Sequence, residues 1–205
     1  MTTLPKPRKQ PSQARSQQMV ELILEATARI LAERGYVGTN TNLVAQRAGV
    51  SVGSVYQYFP NKDSLVTALH ERHAAQMYAV INGVLATSQA RSLRGHIDAI
   101  VQAMLAAHQM EPALHKVLEK EYPFFDAPKE ESAADHGIFG RVRGLLESYV
   151  DQVVVKNLDL ATWTVLQIME SMIHAAVIDP PQKFSIQDIQ KGITRAIFGY
   201  LTLPL

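Results

Sequence analysis

From Val20 to Leu31 apolar side chains return every three or four residues: Val20, Ile23, Leu24, Thr27, Ile30 and Leu31 share a face, while Glu21, Glu25, Arg29 and Glu33 fall elsewhere. That spacing predicts an amphipathic helix starting near Ser16, stopped by Gly35 as a C′ glycine. After "YVGTN" a short helix is expected over about 41–48, capped by Asn40 or Thr41, with Val44, Ala45 and Ala48 as its apolar face. Gly49 ends it and Val50 anchors the turn. Ser51 caps a third short helix through about Phe59, and Pro60 closes that one because it lacks the N–H a helix needs. Asn61 then caps a long fourth helix that opens Lys62-Asp63-Ser64 and runs to about Thr87.

Helical patterning continues at roughly 91–109, 111–120, 137–155, 158–178 and 185–202. Pro112 suits the first turn of one of these helices, and Ser185 caps the last. The run Val153–Val155 sits inside a helical pattern. "YPFFDAPKEESAADHG" is the expected long loop, and "DPPQKFS" separates the last two helices. There is no strand ladder and no internal repeat. The predicted class is all-α with about nine helices: a basic, disordered tail over 1–15, a three-helix domain over 16–62 and a larger helical domain over 63–205. The last two helices are apolar on more than one face. Leu158, Ala161, Val165, Ile168, Met169, Met172, Ile173 and Ala176 wrap one of them; Ile186, Ile189, Ile193, Ile197 and Leu201 wrap the other. Such a helix is buried on both faces, one by the core and one by a partner.

Composition narrows the function. The chain has 205 residues, 47% of them hydrophobic, enough for a sizeable core. It has no cysteine, which excludes disulfides and thiolate metal sites. The N-terminal segment has basic residues but no apolar stretch of the secretory kind. Asp159, Gln167, Glu170 and His174 interrupt the apolar run over 158–178, against a membrane span. A cytoplasmic protein is expected. The net charge of +1 hides an asymmetry: eight Lys/Arg against three Asp/Glu up to Lys62, twelve against sixteen from Asp63 onward. The front suits a polyanion and the back repels one.

Two short helices joined by a tight glycine turn, behind a longer one, make a helix-turn-helix arrangement. The helix after Ser51 is then the recognition helix. Val52, Gly53 and Ser54 leave its start small enough for a major groove about 12 Å wide. Tyr56 and Tyr58 offer phenolic hydroxyls to phosphate and Lys62 a cation, while Val55 and Phe59 point into the small domain.

From about Met19 to Leu69 the chain resembles the TetR (tetracycline repressor-like) family of bacterial regulators. The stretch is "ILEATARILAERGYVGTNTNLVAQRAGVSVGSVYQYFPNKDSLVTAL", with the Gly35-Tyr36 pair, Thr41, Ala45, the Ala48-Gly49-Val50-Ser51 turn, Tyr56, Tyr58-Phe59 and Lys62. Leu43 departs from the polar or acidic residue many members carry. The resemblance implies an all-α homodimer that binds double-stranded operator DNA through its N-terminal domain and a small-molecule effector through its C-terminal one. By position, Thr41, Tyr56, Tyr58 and Lys62 are the expected phosphate contacts, and Ser51, Val52, Gly53, Ser54 and Gln57 the groove-facing set. The last two helices are expected to pair between protomers through Val165, Met169, Met172, Ile173, Ile193 and Ile197. Met104, Phe124 and Trp163, with His108, Tyr149 and Gln167 as polar handles, are candidates to line an apolar pocket; the same set at helical spacing also suits plain core. No cofactor is expected.

Three alternatives carry their own signatures. Metal sensing would use pairs such as His115 with Glu119 or Glu170 with His174, each at i,i+4 spacing; each pair equally suits a hydrogen bond or exposed ion pair. An enzyme is not expected: the chain has no phosphate-cradling glycine loop, no H-E-x-x-H, no cysteine nucleophile and no Ser-His-acid set that spacing assembles. A DNA binder without an effector would have no pocket. The basic tail (Lys6, Arg8, Lys9, Arg15) either adds phosphate contacts or is simply solvated.

Overall fold

A computed structural model describes residue 7 and residues 14–121 and 133–204. Among these, nine α-helices follow one another without a strand: α1 (Ala14–Arg34), α2 (Thr41–Ala48), α3 (Val52–Tyr58), α4 (Lys62–Thr87), α5 (Leu93–His108), α6 (Pro112–Lys116), α7 (Ala133–Ser148), α8 (Leu158–Ile178) and α9 (Ile186–Thr202). The all-α expectation is met. The chain divides into two compact units. The first holds the chain up to His73 and the segment that begins at Ala113; the second holds Ala74–Pro112 and the helices from α7 onward.

In the first unit, Ile23, Leu24, Ile30 and Leu31 of α1 pack with Val44, Ala45, Val55 and Phe59 in a single core. That core also takes Leu65, Val66 and Leu69 of α4 and Leu114, Val117 and Leu118 from α6 and the π-helical turn Val117–Glu121 after it. The unit therefore extends past residue 62, because the first turns of α4 carry apolar residues the short helices need for burial. Local chemistry sets the helix ends. Gly35 (φ 68°) and Gly49 (φ 69°) take the left-handed conformation open to glycine. Asn40 accepts the Leu43 N–H at 3.0 Å, Ser51 the Ser54 N–H at 3.0 Å and Asn61 the Ser64 N–H at 2.9 Å. Each such cap is worth about 1 kcal/mol. Leu43 packs against the core as a partly buried residue.

In the second unit, α5, α7, α8 and α9 surround a core that includes Ile97, Val101, Leu105, Val142, Leu146, Ala161 and Leu201. The helix expected over 137–155 ends at Ser148. A 3₁₀ turn follows at Val150–Gln152, and Val154 donates its N–H to the Leu201 carbonyl at 2.8 Å. Three consecutive valines are poor helix formers, and the end of α9 offers their backbone a better partner. Among the described residues α8 is the one helix long and apolar enough to cross a membrane. Its apolarity is accounted for by the core: Ala161, Val165, Met169, Ile173, Ala176 and Val177 are all buried in the unit.

That burial corrects the expected dimer surface. Val165, Met169, Ile173, Ile193 and Ile197 lie inside the second unit's own core, between 0 and 4% exposed, so none of them is available to a partner; Met172 alone of the six is exposed. The outward side of α8 carries Leu160, Trp163, Gln167 and Ser171, and that of α9 carries Gly192 and Ala196. The pattern was apolar on more than one face because α8 and α9 each touch several neighbours within the same chain.

Candidate nucleic-acid interface

The segment after Gly49 leaves one side of α3 open. Ser51, Val52, Gly53, Tyr56 and Gln57 are exposed and Ser54 half-buried, while Val55, Tyr58 and Phe59 are buried on the other side. The seven-residue helix thus presents a continuous small-residue start, a glutamine and a phenol to solvent. Nothing lies within 4 Å of a Cβ built on Gly49, and at Gly53 only Ser51 Oγ does, at 3.7 Å. The bare face is bare because nothing in the unit covers it.

Two pairs of hydroxyls organise the edge of this face. Thr41 Oγ1 and the Tyr56 phenolic oxygen are 3.1 Å apart, and the Ser51 and Ser54 hydroxyls 2.8 Å apart. Thr41 is 9% exposed, so its hydroxyl chiefly positions Tyr56, which is 42% exposed. Tyr58, expected at phosphate, is 7% exposed and its ring belongs to the core. One turn of helix carries Val55, Tyr58 and Phe59 inward together, and Tyr56 and Tyr58 lie some 200° apart around α3, so only Tyr56 keeps its phenol on the open side.

Lys62 opens α4 and is drawn back onto the first unit. Its Nζ donates to the Tyr36 carbonyl at 2.8 Å and lies 3.7 Å from the centre of the Tyr36 ring. The Tyr36 hydroxyl donates to Asp63, and its N–H donates to Glu121 Oε2 at 2.9 Å. Tyr36 is therefore the fastening point for the α1–α2 linker, the start of α4 and the segment after α6. Sequence spacing did not show it, because its partners lie 26 to 85 residues away. Arg47 on α2 is also engaged: its two terminal nitrogens donate to the two Glu33 oxygens at 2.9 and 2.6 Å. Arg47's hydrogen bonds hold the Glu33 carboxyl below the usual carboxylate range, and Glu33 raises Arg47 in return.

Gly49-Val50-Ser51-Val52-Gly53 also spells G-x-S-x-G, a spacing that marks a hydrolase nucleophile when a strand runs into it. Here a helix precedes it and Ser51 Oγ is engaged as the cap of α3. The serine is the N-cap that starts α3.

Two family models match the chain. Residues 23–69 match the bacterial regulatory proteins of the tetR family, and residues 92–201 match the tetracyclin repressor-like C-terminal domain. The chain belongs to the TetR family. As a TetR-family protein it is a DNA-binding transcriptional regulator. It is similar to the HTH-type transcriptional repressor KstR of Rhodococcus jostii, 28% identical over 147 residues, which are 69% of this chain and 67% of that protein. It is also similar to KstR of Mycobacterium tuberculosis, 30% identical over 105 residues, 51% of this chain and 47% of that protein. The fold is shared with the fatty acid degradation regulator FadR from Bacillus halodurans, at TM-score 0.70 and 16% identity over 94% of this chain and 97% of the other. It is shared too with FadR from Bacillus subtilis, solved in complex with stearoyl-CoA, at TM-score 0.68 and 15% identity over 88% and 98%.

Of the residues expected to line an effector pocket in this TetR-family chain, Met104 and His108 meet one turn apart on α5. Trp163, 56% exposed, and Gln167 stand on the outward side of α8. Tyr149 is half-buried, its hydroxyl 3.2 Å from His96 Nδ1. His108 is buried with its Nδ1 2.8 Å from the Met104 carbonyl oxygen and its ring 5.1 Å from that of His174. Met104 is partly buried against the second unit's core. Phe124 lies outside the described residues, as do Lys6, Arg8 and Lys9 of the basic tail. Histidine rings also meet across elements, His73 with His115 at 4.6 Å and His108 with His174 at 5.1 Å.

Proposed function

We propose that the chain is a homodimeric, cytoplasmic repressor that leaves its operator when a small, largely apolar molecule binds the second unit. The observation that carries the DNA assignment is the uncovered face of α3, from Ser51 to Gln57, edged by the bonded Thr41 and Tyr56 hydroxyls. Val52 has only methyls to offer a thymine, so base-specific hydrogen bonds fall to Ser54 and Gln57. Such a sparse set favours a site chosen partly by DNA shape. Tyr56 takes a phosphate. Lys62 keeps ammonium protons beyond the one given to Tyr36 and offers them to the backbone.

The similarity to KstR, named a repressor, supports repression, and the fold shared with a FadR that holds stearoyl-CoA supports an apolar effector. Met104, His108 and Tyr149 remain the pocket candidates. Because α4 carries residues of both units, it is the element through which effector binding changes the separation of the two recognition helices in a dimer. A coupling of about 1–3 kcal/mol gives a useful response. The test is selection of an operator from random duplexes with the purified protein, followed by anisotropy titration of the selected site. A palindromic site bound by two chains, and bound less well by Ser54→Ala with Gln57→Ala, is the expected result. Failure to enrich any sequence would overturn the assignment. Native mass spectrometry of the purified protein then tests for a retained apolar molecule.

A further inference from the structure

A groove of about 460 Å³ opens on the second unit between the start of α5 and the middle of α9. Ser92, Arg94, Gly95 and Asp98 line one wall; Lys191, Thr194 and Arg195 line the other. Three of the twelve Lys/Arg that follow Lys62 meet here, in a stretch of chain that carries sixteen Asp/Glu. A cationic spot on an otherwise acidic part of the chain needs a reason.

The groove's own groups do not neutralise it. Arg94, Lys191 and Arg195 are exposed, and none of them forms an ion pair with another described residue. Asp98 is the one carboxylate in the lining. Its Oδ1 accepts from Gln190 Nε2 at 3.2 Å and from Thr194 Oγ1 at 2.9 Å, so it ties α5 to α9 through neutral donors. Asp188 feels the charge of Lys191, but its carboxylate is held in the cap of α9 by Ser185. The Gly95 N–H is already given to Ser92 Oγ at 3.1 Å, so the positive field comes from side chains and not from an open helix end. Arg94 lies 5.9 Å from the Phe198 ring centre, which steadies its guanidinium over α9.

We infer that this groove binds a small molecule carrying two or more phosphates, of the nucleoside diphosphate class. Two guanidinium groups and an ammonium are the side chains that best recognise phosphate oxygens, the guanidinium by paired parallel hydrogen bonds. The volume lies in the range of small-ligand sites. A nucleic acid backbone would need a basic stripe that continues beyond the groove, and the neighbouring outward positions of α9 are Gly192 and Ala196. None of the pocket candidates Met104, His108 and Tyr149 lines the groove, and the inference does not depend on the effector assigned above.

Isothermal titration of the full chain with ADP, pyrophosphate and inorganic phosphate at low ionic strength tests it. ADP and pyrophosphate should bind saturably, at least about tenfold more tightly than inorganic phosphate, since each added contact of about 1.4 kcal/mol is a factor of ten. Lys191→Ala with Arg195→Ala should weaken both by about tenfold or more, and Arg141→Ala on α7 should leave them unchanged. Arg195→Gln alone serves if the double variant melts early. Absence of saturable binding at millimolar ligand, or binding indifferent to the α9 substitutions, overturns the inference. So does a non-operator duplex that displaces ADP and loses affinity with the same substitutions, which would make the groove a nucleic-acid surface.

Discussion

The Thr41 hydroxyl sits 3.1 Å from the phenolic oxygen of Tyr56, joining the first residue of α2 to the exposed side of α3. One of the two is nearly buried and the other open, so the proposed interface gives them different work: Thr41 aims the phenol, and the phenol is the group expected at DNA. Tyr56→Phe should weaken operator binding by about 0.5–1.5 kcal/mol, the ordinary worth of one hydrogen bond. Thr41→Val should lose a similar amount. If Thr41 acts through Tyr56, the double variant loses no more than Tyr56→Phe alone. Anisotropy titrations of the four proteins against one operator give the cycle; full additivity would show Thr41 touching DNA by itself.

Lys62 shows why a residue expected at phosphate also matters to stability. Its ammonium is bound to the Tyr36 carbonyl and stacked on the Tyr36 ring. Replacing it with Met keeps the stem and removes both interactions. The expected loss is about 1–2 kcal/mol in urea unfolding, from one charge-assisted hydrogen bond and a partly solvated cation–π contact. The same variant should lower the salt slope of operator binding by about one. A change in slope with unchanged stability would mean that the Tyr36 contact contributes nothing.

The two results trace what the sequence could show. Helix order, the glycine stops at 35 and 49 and the caps at Ser51, Asn61 and Ser185 were legible, and the cap of α2 was narrowed to Asn40 or Thr41, because each depends on residues within four positions of one another. The exposed start of α3 was legible for the same reason. Tyr58 was misplaced because a phenol's position in the family motif does not show which way it faces, and helical rotation sends this one inward. Five of the six expected partner residues on α8 and α9 were misplaced because apolar residues facing several neighbours in one chain look like residues facing another chain. Tyr36 was hidden altogether, since a tyrosine in a linker gives no local sign of a carboxylate 85 residues on.

Acid should loosen the start of α9 in a defined way. Ser185 and Asp188 form a reciprocal capping box, with Asp188 Oδ2 accepting the Ser185 N–H at 3.1 Å and its hydroxyl at 2.6 Å. These hydrogen bonds lower the Asp188 carboxyl below its ordinary value. A lowered carboxyl favours the folded state above the unfolded pKa, and that contribution fades as pH falls through the folded one. Ser185→Ala should therefore melt roughly 2–4 °C below the parent at neutral pH. The gap should narrow as pH drops beneath the usual carboxylate range. Scanning calorimetry of both proteins across that range checks it; a gap that widens in acid would contradict the assignment.

The proposed dimer places its second chain on the outward sides of α8 and α9, over Trp163 and Ala196. With Val165, Met169, Ile173, Ile193 and Ile197 enclosed in their own unit, the remaining outward sides hold a 56% exposed tryptophan on α8 and, on α9, Gly192 and Ala196, small enough for close helix approach. A partner that packs there buries Trp163 against the other chain and brings Ala196 near a facing helix. Trp163→Glu or Ala196→Glu places a charge in that contact, which is costly to desolvate without a partner, while each position is open to water in the single chain. Sedimentation should then show monomers that keep the parent's helical content. Operator affinity should fall by at least about a hundredfold, since one chain grips only one half-site. Met169→Glu is the contrasting substitution: it puts a charge inside the unit and should unfold the chain instead of separating it. Dimers that survive both outward substitutions would place the partner on another face of the second unit.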